Sequence, residues 1–126
     1  MKTSIRALSA LLILGLTAGI AQAAESKAVQ TMAGILAGLN HFPNATDKAA
    51  LAAIAADKSA TADEKTLATA LTNVQHKVAA GDKAALEAIV ADAKATNGAK
   101  TLAGTILSLN HMASAGDKEK LAALAK

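Results

Sequence analysis

Thr31-Met32-Ala33-Gly34-Ile35-Leu36-Ala37-Gly38-Leu39-Asn40-His41 decides the fold, because its anchor residues are written three times. Thr66-Leu67-Ala68 leads to His76 and Thr101-Leu102-Ala103 leads to His111, each with the interval that separates Thr31 from His41. Beyond the histidines the correspondence runs through Asp47-Lys48, Asp82-Lys83 and Asp117-Lys118. It continues through Leu51 and Ile54, Leu86 and Ile89, and Leu121 and Leu124. Equivalent residues stand 35 apart throughout, without a gap. A fixed period of this length is the mark of stacked supersecondary units.

Inside each unit the apolar residues fall at helical intervals. Met32, Leu36 and Leu39 are four and three apart, as are Leu67, Leu71 and Val74, and Leu102, Ile106 and Leu109. Such spacing lays one apolar stripe along a helix, which should end near His41, His76 and His111. Ser26, Thr61 and Thr96 precede the three stripes and suit N-caps, and Thr61 with Glu64 has capping-box spacing. Phe42-Pro43-Asn44, Ala80-Gly81 and Ala115-Gly116 break the chain after the histidines. Asp47, Asp82 and Asp117 then open a second helix, as its cap or as a first-turn charge.

The sequence therefore predicts an all-α fold of three tandem αα-hairpins, six helices in all. The units are 26–60, 61–95 and 96–126 of one domain over 24–126, arranged as a short solenoid or a compact helical bundle. The period is near that of tetratricopeptide repeats, but their tryptophan, tyrosine and proline positions have no counterparts, and no family follows from it. Two packing expectations accompany this architecture. Ala49, Ala56, Ala84 and Ala91 should mate with a following unit while Glu119 and Lys126 seal the last one. Gly34, Gly38 and Gly104, inside helical stretches, should mark close backbone approach between helices.

The amino terminus reads differently. Lys2 and Arg6 precede an apolar run from Ala7 to Ile20, and Ala21-Gln22-Ala23 has the small-x-small cleavage pattern. This is the pattern of a secretory signal peptide, residues 1–23, which places the mature chain in the periplasm or outside the cell. No second apolar stretch follows, so no stable membrane insertion is expected after cleavage. Of 13 basic residues two leave with the signal, so 11 face 10 acidic ones and the basic balance is no argument for an anionic partner.

Composition also excludes. Past Ala23 there is no Arg, Trp, Tyr or Cys, and Phe42 is the one aromatic residue. Base contacts draw on Arg and single-strand binding on stacked rings, so nucleic acid is not an expected partner. Disulfides and thiol chemistry are ruled out. No nucleophile elbow or glycine-rich phosphate loop is present, and on those motifs the chain is expected to be non-catalytic.

His41, His76 and His111 are the only histidines, at the same place in each unit. A structural account has each one capping the carbonyl end of a helix. A functional account makes them ligands for copper or zinc, with Met32, Met112 and the three aspartates nearby. In an open solenoid neighbouring units lie about 10 Å apart, too far for shared ligation, whereas a compact bundle that gathers the loops favours the metal. Two functions are thus expected. The first is an exported, cofactor-free interaction or scaffolding module with a protein partner or a second copy of itself; the alternative is a periplasmic copper- or zinc-binding protein.

Overall fold

A computed structural model describes residues 25–126; the expected signal peptide and its cleavage point lie outside them. Ser26, Thr61 and Thr96 start helices as their residue types require. Ser26 Oγ accepts from Val29 N at 3.2 Å and Thr96 Oγ1 from Ala99 N at 3.0 Å. Thr61 Oγ1 accepts from Glu64 N while Glu64 Oε2 accepts from Thr61 N, closing a full capping box. These caps begin α1 (Lys27–Ala37), α3 (Ala62–Asn73) and α5 (Asn97–Leu107). Between and after them run α2 (Ala45–Ala56), α4 (Lys83–Ala91) and α6 (Ala115–Leu124). A single 3₁₀ turn, Ala80–Asp82, leads into α4. The described residues are all-helical, with six α-helices and no strand. None of these helices is long and apolar enough to cross a membrane.

The aspartates take the second of the roles open to them. Asn44 and Ser114 cap α2 and α6, so Asp47 and Asp117 sit in the first turn, where a negative charge complements the helix dipole. Asp82 caps nothing with its side chain and accepts instead from Asn73 Nδ2 at 3.0 Å. In the turn after α2, Asp57 Oδ1 accepts from both Ser59 N and Ser59 Oγ at 2.8 Å. Those bonds, the backbone one first, hold its carboxyl below the ordinary carboxylate value.

Burial divides the helices into two classes. α1, α3 and α5 are the inner ones, and they bury Met32, Ala33 and Leu36, then Leu67, Ala68 and Leu71, then Leu102, Ala103 and Ile106, all at 0% exposure. Each inner helix touches the other two. The outer helices bury far less: Leu51 in α2, Leu86 and Ile89 in α4, Leu121 in α6. Each outer helix lies chiefly on the inner helix that comes next, α2 on α3 and α4 on α5. The last one, α6, lies on α1, so the first and last of the described helices meet and the bundle is closed.

Closure overturns both packing expectations. Ala49, Ala56, Ala84 and Ala91 are exposed, as are Glu119 and Lys126. The bundle has no terminal face to seal, so that side of every outer helix meets water, whether alanine or charge. The glycines do not mediate helix approach either: a Cβ added to Gly34 or Gly104 would meet nothing within 4 Å, and at Gly38 only carbonyl oxygens one turn back. The fully buried Ala33, Ala68 and Ala103 fill that role, one on each inner helix.

At the amino ends of the inner helices carboxylates tie the three together. Glu64, 8% exposed, also accepts from Ser26 Oγ at 2.5 Å, linking α1 to α3. Glu25 Oε1 accepts from Gly98 N at 2.9 Å, linking the start of α1 to α5. A Cβ at Gly98 would sit 2.5 Å from the Glu25 carboxyl carbon, so a larger residue there would displace that carboxylate. Both carboxylates lie where helix dipoles favour negative charge.

Chemical denaturation separates these assignments. Gly34→Ala and Gly104→Ala should each stabilise the fold by up to about 1 kcal/mol, since alanine gains helix propensity without a clash. Ala49→Lys and Ala84→Lys should stay within about 0.5 kcal/mol of the parent, as exposed substitutions do. Leu102→Ala should cost about 2–5 kcal/mol. A large loss from the alanine-to-lysine substitutions would mean that the outer faces are covered.

Candidate metal centre at the carbonyl pole

The three inner helices end about one turn before the histidines, at Ala37, Asn73 and Leu107. Each helix gives way to a short turn pinned at both ends. Leu39, Val74 and Leu109, two residues before the histidines, are buried at 3%, 1% and 4% exposure. Two residues after them, Pro43 and Ala113 are buried and Val78 is half-buried. The residues flanking each histidine face one another across a one-residue bridge, Asn40 with Phe42, Gln75 with Lys77 and Asn110 with Met112. Each histidine is thus the tip of a reversal held by apolar anchors.

At these tips the backbone is left-handed. His41, His76 and His111 have φ of 79°, 67° and 70°, and they are the only non-glycine residues with positive φ among those described. An L-residue in this region costs about 1–2 kcal/mol, although histidine enters it more readily than most. The compensation lies in the bonds that the conformation permits. His76 N donates to His41 O at 2.6 Å, His111 N to His76 O at 2.7 Å, and His41 N to His111 O at 2.8 Å. The three peptides form a closed cycle of hydrogen bonds.

The imidazoles converge on the same point. Ring centroids are 5.0 Å apart for His41 and His76, 5.2 Å for His41 and His111, and 4.9 Å for His76 and His111, all edge to face. His76 Nδ1 and His111 Nδ1 approach to 3.1 Å, a hydrogen bond in which one ring donates and the other accepts. One nitrogen from each of the three rings lies within 4.8 Å of the others. His76 and His111 are exposed and His41 is half-buried, so the group is open to solvent on one side.

The histidine cap predicted for each helix end is therefore not what forms: the residues lie beyond the helices and bond to each other. The other candidate ligands stay apart. Met32 is buried in the core at 0% exposure, and the Met112 sulfur lies 3.9 Å from Lys118 Nζ. Asp47, Asp82 and Asp117 are absent from the cluster, which is three histidines alone.

α1, α3 and α5 run in the same direction, carboxylates at their amino ends and histidines just past their carbonyl ends. The amino ends of α2, α4 and α6 lie at the same pole, so the helix dipoles largely offset there and the site rests on the imidazoles themselves. Tetrahedral zinc with bonds of about 2.0–2.1 Å would bring nitrogens to about 3.4 Å from each other. The His76–His111 pair, at 3.1 Å, is already near that spacing, and the third nitrogen lies within 4.8 Å of both.

Left-handed backbone at these sites inverts the usual order of substitutions. His76→Gly should be more stable than His76→Val by about 1–2 kcal/mol, because only glycine accepts positive φ freely. Thermal unfolding of the two metal-free variants checks this, and equal stability would place His76 in ordinary backbone geometry. Comparison of the chain with protein-family models, with curated proteins and with solved structures finds no match.

Proposed function

We propose that this is a metal-binding protein that holds one zinc or copper ion through His41, His76 and His111. The observation that carries the proposal is the convergence of one nitrogen from each imidazole within 4.8 Å. It favours the metal over the interaction module. Imidazole is a good ligand for both ions, and with no thiolate or thioether in the cluster it matches divalent zinc or copper rather than a soft monovalent ion. The cyclic backbone bonds add preorganisation, since they position the three rings before any ion arrives.

We further read the chain as three tandem copies of one 35-residue hairpin, units 26–60, 61–95 and 96–126, closed into a ring. Equivalent caps at Ser26, Thr61 and Thr96 and equivalent φ at the three histidines support this reading. In such a ring, residues at one position of the unit meet on the axis. The signal-peptide pattern of residues 1–23 supports export, to the periplasm or beyond.

Calorimetric titration of the purified protein with Zn²⁺ and, separately, Cu²⁺ tests the proposal. One equivalent per chain is expected. Free ion at about 100 times its dissociation constant should raise stability by about 2.7 kcal/mol. A triple His→Asn variant keeps a residue that tolerates positive φ and should fold without binding. Undiminished binding by that variant, or none by the parent, would overturn the proposal.

A further inference from the structure

The cluster supplies three protein nitrogens and no fourth donor from the described residues, and its open side faces water. Structural zinc sites are closed by four protein ligands, whereas three ligands leave a position for an exchangeable water. Three neutral imidazoles leave the full double charge on the ion, and under such ligation bound water ionises near about pH 7. A pocket adjoins one of the three ligands. His76 lines a pocket of about 300 Å³ with Phe42, Lys48, Thr72, Val74 and Gln75. Phe42 is 56% exposed, the most exposed large apolar side chain among the described residues. An exposed aromatic ring beside a candidate metal, with a lysine in the same pocket, is a place for a small molecule with an apolar body and a negatively charged end.

Building on the metal site proposed above, we infer that the zinc-loaded protein hydrolyses small acyl esters, the acyl group lying against Phe42 and a negative charge facing Lys48. The chemistry needs water alone as co-reactant. With zinc held by the three imidazoles, bound water would give one proton to solvent, and the hydroxide would add to the carbonyl carbon with formation of a new C–O bond. The bond to the leaving oxygen would break with its electron pair, the alkoxide taking a proton from water and the new carboxylic acid giving its proton to solvent. The products are a carboxylate, an alcohol and one net proton, with no change in oxidation state. Lys48 would stabilise charge in the bound ester, a positioning contribution rather than a bond to the reacting atoms.

The experiment pairs turnover with a spectroscopic readout. Zinc-loaded protein is assayed with a chromogenic nitrophenyl ester whose acyl chain ends in a carboxylate, across pH 5.5–9, a range of about 3.5 units that brackets ionisation of bound water. Cobalt-loaded protein is followed by its visible spectrum over the same range. Expected are hydrolysis that rises with pH, a cobalt spectrum that changes in the same interval, and suppression of both by azide. Phe42→Ala and Lys48→Ala should raise KM several-fold while calorimetric zinc affinity stays unchanged. Zinc bound at one equivalent with no hydrolysis above the triple His→Asn variant, and a cobalt spectrum flat with pH, would overturn this inference and leave the metal site standing. Absence of zinc binding would remove both.

Discussion

Three hydrogen bonds between the peptides of His41, His76 and His111 are the constraint on which the rest depends. A cycle of this kind cannot exist in an open array, because its last bond joins the first hairpin to the third. Once His41 N reaches His111 O, α6 has α1 as its neighbour and the bundle of described helices has no open face to protect. The cost is left-handed backbone at three side chains of ordinary chirality. Each bond returns about 1 kcal/mol, so the turns are near balance on local terms alone. Burial of Leu39, Val74 and Leu109 immediately before them keeps them in place.

The core is built to let those turns meet. With little aromatic surface to bury, the inner helices rely on leucines at full burial and on Ala33, Ala68 and Ala103 for close approach. Their parallel direction gathers amino ends at one pole, where Glu25 and Glu64 meet positive dipole ends, and carbonyl ends at the other. The outer helices act as braces, each resting on the next inner helix and burying one or two large side chains.

Much of this was legible in the residues because it is local. Helix positions follow from apolar spacing, and the caps at Ser26, Thr61 and Thr96 follow from side chains that reach an amide three residues on. Features that depend on closure were not legible. Ala49 and Ala84 look like mating surfaces only if the array has an end, and Gly34 looks like a contact only if its face turns inward. The histidines were legible as candidates, but their convergence was not, since no two share a helix face. Their even spacing, 35 residues each time, was the available signal, because three inner helices that all touch one another can bring residues so spaced together. Positive φ left no mark, as neither glycine nor an Asn-Gly pair announces it at these turns.

Whether three imidazoles share one ion at the carbonyl pole is measured directly by X-ray absorption at the zinc edge, on protein loaded with one equivalent. The expected result is a first shell of three imidazole nitrogens and one further light atom at about 2.0–2.1 Å. A shell with fewer than three imidazoles, or one dominated by carboxylate oxygens, would contradict it.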